Sequence, residues 1–456
     1  MVNPREPNRL LAAAVKEAGY TYEALAKAVR TVAAEAGEKL RTSRAAVHSW
    51  IVVGAVPAGR TPAYVAEALS RKLNRPVTRA EVGLGFEPVE DAALAAMALD
   101  PLAAASDLGR LVMLRRRDFL SLAFSATAVG LPLNHDHQAA AASLLAAAGG
   151  RRVGAVEVAA VRQFTEMFRA TDERLGGGHG LVAITSYLTD VVAPMLSATF
   201  PASDVRADAF GAAAELATLI GWKLHDLGRE GAAQRFYLLA YQFAGESGSA
   251  GHAAWTMRAL THQALDLGQP GRCVDLSRAA LERARGKVDR HTEALLLVTA
   301  ARAHGASGNG AAAAKLILAA EDAMFSSADT IPTYAAAAGP VAATVASHIG
   351  RTLTEMKDYG AAERHYRAAL RNRTSGTYHR VRGLTLANIA KTVAAQHRPE
   401  EAVGLWSQSA DLMDGVASDR NRRELDTMRS TLTVYVRRGI PGAAELVQRA
   451  AQISAD

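Results

Sequence analysis

Apolar residues recur three and four apart along most of this chain and rarely alternate, so the pattern predicts helices joined by short polar turns. Near the N-terminus Leu10, Leu11, Ala14 and Val15 share one face of a helix over about Asn8–Ala18, and Gly19 ends it. Thr21 is a candidate N-cap for a second helix, which runs through Leu25 and Ala26 to Val29. A polar stretch from Glu35 to Arg41 follows, and Ser43 then caps a third helix from Arg44 to Ile51. Gly54 and Pro57 break the chain. A fourth helix opens near Pro62, a favourable first-turn proline, and carries Val65, Leu69 and Leu73 at spacings of four.

Further along, one unit repeats: a helix ending at a small or polar turn, then a second helix opening on small residues. The clearest turns are Leu227-Gly228-Arg229-Glu230-Gly231 and Leu267-Gly268-Gln269-Pro270-Gly271. Weaker copies lie at Ser307–Ala312, Lys357–Ala362, His397–Ala402 and Gly439–Ala444. The second helices are expected to start at 231, 271, 311, 360, 400 and 442, intervals of 40, 40, 49, 40 and 42 residues. Nine residues after each start stands a small residue, Ala240, Ala280, Ala320, Ala369, Ser409 or Ala451, which lets two helices approach closely. Residues 135–220 read as further helices of this kind with the motif worn away. The chain therefore divides into a head (1–86), a helical linker (87–134) and a helical repeat body (135–456).

Composition supports an all-α fold. The chain is 49% hydrophobic but only 5% aromatic, and alanine, the best helix former, dominates. A single cysteine, Cys273, excludes a disulfide framework and a cysteine zinc site, and it fits a reducing, cytoplasmic setting. The net charge of +7 is concentrated: Lys39, Arg41, Arg44, Arg60, Arg71, Lys72, Arg75 and Arg79 face only Glu67 between residues 39 and 79. A basic block in one small module is the footprint expected of a nucleic-acid contact.

Other signals point away from export, membrane and catalysis. Arg115-Arg116-Arg117-Asp118-Phe119-Leu120 imitates a twin-arginine export motif, with an apolar run from Ser121 to Leu133 and a cleavage-like Ala126-Thr127-Ala128. It is read as a connecting helix, because a domain-like stretch precedes it and the run is too short for a bilayer. The glycine-rich Leu175–Gly180 lacks the Lys-Ser/Thr of a phosphate loop and follows a helix. His135-Asp136-His137 has no helical pair of ligands, so no metal is expected, nor any cofactor or catalytic constellation.

The head resembles the Cro/Xre helix-turn-helix family. The resemblance rests on Leu25-Ala26 in the second helix, the Ser/Thr-x-x-x-Val-x-x-Trp pattern from Ser43 to Trp50, and Ala66 to Leu69 in the fourth. Ile51 stands where that family has an acid, the glycine falls four residues after Trp50, and the link before the third helix is long. The body resembles a tetratricopeptide array with lengthened loops, typified by Ala362 to Ala369. Head and body together are similar to actinobacterial regulators of this architecture. The resemblance implies double-stranded DNA as partner, a homodimer reading two half-sites, and control of development or secondary metabolism. In this motif Arg44, Ala45 and His48 would reach base edges, and Thr21, Lys39, Arg41, Ser43, Ser49 and Arg60 would hold phosphates. A concave repeat face would suit a peptide, small-molecule or protein effector. The alternative is a scaffold whose head docks protein.

Overall fold

The computed structural model describes residues 6–35, 38–73, 77, 79, 81–85, 100–113, 152–325, 330–373 and 378–455. Among the described residues every regular element is helical, apart from one isolated bridge between Arg152 and Thr199. The fold is all-α.

Four helices build the head: α1 (Arg9–Glu17), α2 (Tyr22–Glu35), α3 (Arg44–Val52) and α4 (Thr61–Leu73). The expected caps form. The Ala24 N–H donates to Thr21 Oγ1 at 3.1 Å and the Ala46 N–H to Ser43 Oγ at 3.3 Å. Asn8 caps α1 and also donates to the Val82 carbonyl at 2.9 Å, tying the end of the head to its beginning. Leu11, Leu25, Val29, Val47, Val65 and Leu69 form the centre of one core, fully buried or nearly so. Each contributes about 1.5–3 kcal/mol by leaving water. Ile51, in the place of the family's acid, is 5% exposed within this core. Its position faces inward, so an acid there would be buried among apolar groups. Arg71 leaves the basic block for the same kind of reason. Its guanidinium is paired with Glu35 at 2.7 Å and Glu67 at 2.8 Å and is nearly buried, so it adds nothing to a basic surface.

The segment 87–134, expected as a linker, contributes α5 (Pro101–Met113), whose Leu102, Ala105 and Leu108 join the core of the body. Next come α6 (Ala155–Leu175), α7 (Leu181–Tyr187) and α8 (Ala193–Leu196), the last two joined through a π turn. Six antiparallel hairpins follow in solenoid-like succession: α9 (Ser203–Asp226) with α10 (Glu230–Glu246), α11 (Ala250–Asp266) with α12 (Cys273–Ala284), and α13 (Arg290–Ala306) with α14 (Gly310–Met324). A short α15 (Thr333–Ala336) interrupts. The last three are α16 (Val341–Glu355) with α17 (Tyr359–Arg371), α18 (His379–Ala395) with α19 (Pro399–Met413), and α20 (Asp419–Arg437) with α21 (Ala443–Ala455). The second helices begin within two residues of the positions expected from sequence. In the last hairpin the fully buried small residue is Ala450 and not Ala451, which is only half-buried.

Each hairpin turns in the same way. Gly228, Gly268, Gly308, Lys357, His397 and Gly439 all have positive φ, between 62° and 79°. At every one, the N–H of the following residue reaches back to the carbonyl five residues before it, as Arg229 does to Leu224 (2.8 Å) and Asp358 to Leu353 (2.9 Å). These are Schellman closures, which favour glycine at the left-handed position. Lys357 and His397 occupy it at a steric cost. Lys357→Gly and His397→Gly are each expected to stabilise the body by about 0.5–1 kcal/mol, read as a higher denaturation midpoint. An unchanged or lower midpoint would show that the side chain contributes more than the backbone costs.

The array also closes on itself. The Ala417 N–H, in the turn before α20, donates to the Leu175 carbonyl at the end of α6 (3.1 Å). The Gly177 N–H donates to Asp226 Oδ2 at 3.0 Å, and Ser418 Oγ to Asp226 Oδ1 at 2.9 Å. Arg380 of α18 bridges Asp172 of α6 (2.9 Å) and Asp226 of α9 (3.0 Å). The glycine-rich break of the sequence is this seam. A Cβ at Gly176 would lie 2.5 Å from the Ala417 carbonyl oxygen, and one at Gly177 2.5 Å from that of Lys223.

Candidate functional site

On the head, α3 buries Val47, Trp50 and Ile51 and exposes Arg44, Ala45 and His48. The His48 ring stands edge-on to Tyr22 of α2, centroids 6.2 Å apart. Lys39, Arg41, Thr21 and Ser43 are exposed, whereas Ser49 and Arg60 are half-buried. Arg60 is engaged with Tyr64, whose hydroxyl is pushed up chiefly by burial and by nearby Glu38. Thr21 and Ser43 spend their hydroxyl oxygens on helix caps but keep their hydroxyl protons. Val52, Val53 and Val56 at the far end of α3 are also exposed, at 45%, 51% and 65%.

In the body, α6, α9, α11, α15, α16, α18 and α20 surround a cavity with about 1310 Å³ of open space, its solvent mouth included. Its walls combine rings (Trp222, Trp255, Tyr334, Tyr378) with guanidinium groups (Arg258, Arg351, Arg373, Arg420). Arg351, Arg420, Leu384 and Asn388 separate it from a second hollow of about 1050 Å³.

Beneath the cavity lies a charge network. Asp266 accepts from Arg302 at 2.6 Å, Arg351 at 2.9 Å and Arg420 at 3.2 Å, and His225 and His262 stand 3.4 and 3.6 Å from it. Burial opposes its charge, but these guanidinium groups hold its carboxyl well below the usual range. His262 is driven the other way, kept neutral by burial and by the same arginines. His225 is the exception: despite burial, Glu230 at 2.7 Å and Asp266 raise it to about 9. The three side chains His225, His262 and Asp266 come within reach of a single metal ion. The arrangement opposes one, because Asp266 already serves three guanidinium cations that would repel a fourth positive charge.

Arg258 is different. It donates to the Leu295 carbonyl at 3.3 Å, lies 3.3 Å from His348 Nε2 and sits 4.5 Å from the Trp255 ring. No described carboxylate lies within ion-pair distance of it, and burial with Arg302 nearby pushes its pKa down to about 10. Arg373 reaches only Thr344 Oγ1 (3.1 Å) by hydrogen bond, and burial brings it down to about 10 as well. His252 stacks on Tyr334 at 4.5 Å and is held neutral, pushed down to about 3 by burial and Arg162. Arg373 Nη1, His252 Nε2 and His348 Nδ1 are buried without a hydrogen-bond partner.

Sequence reasoning did not single out this cavity. Cys273 is buried, as expected of a small helix residue, and its thiol is pushed up to about 12 by burial, which makes it a poor nucleophile. The twin-arginine-like segment from Arg115 and the His135–His137 cluster lie outside the described residues. No helix among the described residues is long and apolar enough to cross a membrane.

Residues 11–85, from α1 to the last core residues of the head, match a family described as the SP15 N-terminal domain. No curated protein matches the chain.

Proposed function

We propose that the protein is a non-catalytic, DNA-binding transcriptional regulator, in which the head contacts double-stranded DNA and the repeat body receives an effector and pairs two copies. The observation that carries this reading is the division of α3: Val47, Trp50 and Ile51 fill the core, while Arg44, Ala45 and His48 stand exposed beside Arg41 and Lys39. A helix presented in this way can lie in a major groove with its N-terminal residues on base edges. Arg44 would take a guanine through its fork, Ala45 a thymine methyl, and His48 a base acceptor or a phosphate. Thr21, Lys39, Arg41, Ser43, Ser49 and Arg60 would position the backbone. Two copies would read paired half-sites, and the cytoplasm is the setting this role requires.

The test is selection of bound fragments from genomic DNA with the purified full chain. An enriched sequence is expected, with affinity falling steeply as salt rises. Arg44→Ala should cost about 1–3 kcal/mol of discrimination and relax the preference at one base pair, without changing the melting temperature. Recovery of no enriched sequence would sink the reading. It would then favour a scaffold whose head docks protein through the exposed Val52, Val53 and Val56.

A further inference from the structure

We infer that the cavity in the body is the binding site for a small organic anion with a flat aromatic ring, such as an aromatic carboxylate. This names the ligand class for the effector site proposed above and rests on that reading of the concave face.

The charge balance at the cavity leaves positive potential uncompensated. Of the acids that line it, Asp172 is engaged with Lys223 and Arg380, Glu173 with Arg380, and Glu215 with Arg162 and Thr333. Asp266 serves Arg302, Arg351 and Arg420 together, with Glu355 a more distant partner of Arg302 at 3.8 Å. Arg258 has no described carboxylate within ion-pair distance, and Arg373, which faces Glu173, keeps Nη1 buried without a hydrogen-bond partner. A guanidinium taken out of water loses its hydration, and an anion supplied by a ligand would offset that cost. The ring surfaces Trp222, Trp255 and Tyr334 give the same space flat apolar walls. Convergent cations beside aromatic walls define a ligand that is charged at one end and planar at the other.

Two features argue for a compact ligand and against an extended peptide. The seam between α6 and α20 closes the array, so the inner face is a chamber rather than an open groove. The one long interval between second helices, 49 residues, contains α15, and α15 carries Tyr334 to the cavity wall. That tyrosine is fitted in place. Thr333 donates to Glu215 at 2.7 Å, Tyr334 stacks on His252, and a Cβ at Gly251 would lie 2.5 Å from the Tyr334 hydroxyl.

The experiment uses the full chain and matched probes: naphthalene- and indole-carboxylates, each paired with its neutral carboxamide and its cationic methylamine. Binding is read by tryptophan fluorescence, since Trp222 and Trp255 line the cavity, and by calorimetry. At least one carboxylate should bind saturably, about tenfold or more tighter than its carboxamide, and the amine should not bind. Arg258→Gln should remove that charge preference while leaving carboxamide binding in place. The proposal is overturned if no carboxylate saturates, if amide and acid bind alike in the wild type, or if a peptide library binds in their place. The wild-type probe comparison decides even if Arg258→Gln does not fold. The readout involves no DNA, so failure here leaves the reading of the head intact, and failure to find an operator leaves this site intact.

Discussion

Arg380→Met is expected to cost the body about 3–5 kcal/mol, seen as a lower melting temperature and less soluble protein. Arg380 is fully buried and holds Asp172 at 2.9 Å, Asp226 at 3.0 Å and Glu173 at 3.5 Å. Methionine fills similar space but leaves Asp226 and Glu173 in the interior without that counter-charge, and Asp172 with Lys223 alone. The loss should depend on pH. Burial works against the charge of Asp226, yet Arg380 and Arg420 hold its carboxyl below the ordinary 3.8. A carboxyl depressed in the folded state contributes stability above its unfolded pKa, and that contribution is lost as pH falls through the folded value. The variant lacks much of this contribution, so its deficit should be largest near neutrality and narrow below about pH 4. Adding Asp226→Asn, which leaves Asp172 paired with Lys223, should recover part of the loss, because one acid fewer is then stranded without a counter-charge. A variant as stable as the parent at pH 7 would show that Arg380 does not hold the seam.

Gly176→Ala is expected to cost about 2–6 kcal/mol, combining backbone strain with overpacking. Gly176 has φ 87° and ψ 171°, a conformation open to glycine alone, and its missing Cβ lets the Ala417 carbonyl approach. The control is Gly180→Asn. Its φ of 69° and ψ of 10° lie in the left-handed region that asparagine tolerates, and its nearest neighbours are Phe168 ring atoms at 3.6 Å. Comparable melting of both variants would remove the close approach as the reason for the glycine.

Much of this architecture was legible because each hairpin announces its turn. Helix class followed from alanine content and three-to-four spacing, and the second-helix starts followed from the recurring turn sequence. The face of α3 was legible from Val47 and Trp50, three apart. The cavity was harder to read, although it leaves a trace. Counting six residues back from the left-handed turn residue of the first five hairpins gives Trp222, His262, Arg302, Arg351 and Lys391, a column of large, mostly charged or polar side chains on helices otherwise rich in alanine. The column emerges only when the copies are aligned on their turns. What completes the site lies outside it: Asp172 comes from α6, Arg420 from α20 and Tyr334 from the extra residues of one interval. Partners such as Arg380 and Asp172, 208 residues apart, carry no local signature. Arg71 shows the opposite limit, because a net-charge count includes a cation that folding has already neutralised.

The seam also bears on how such a chain can change over time. An open stack of hairpins gains or loses a unit at little risk, since each unit touches only its neighbours. Here the first and last parts of the array must meet, with Ser418 and Ala417 delivered to Asp226 and Leu175. Duplicating or deleting one hairpin would carry those groups out of register by a whole unit. The number of repeats is therefore a fixed quantity in this body, and variation is left to the length of the loops between hairpins.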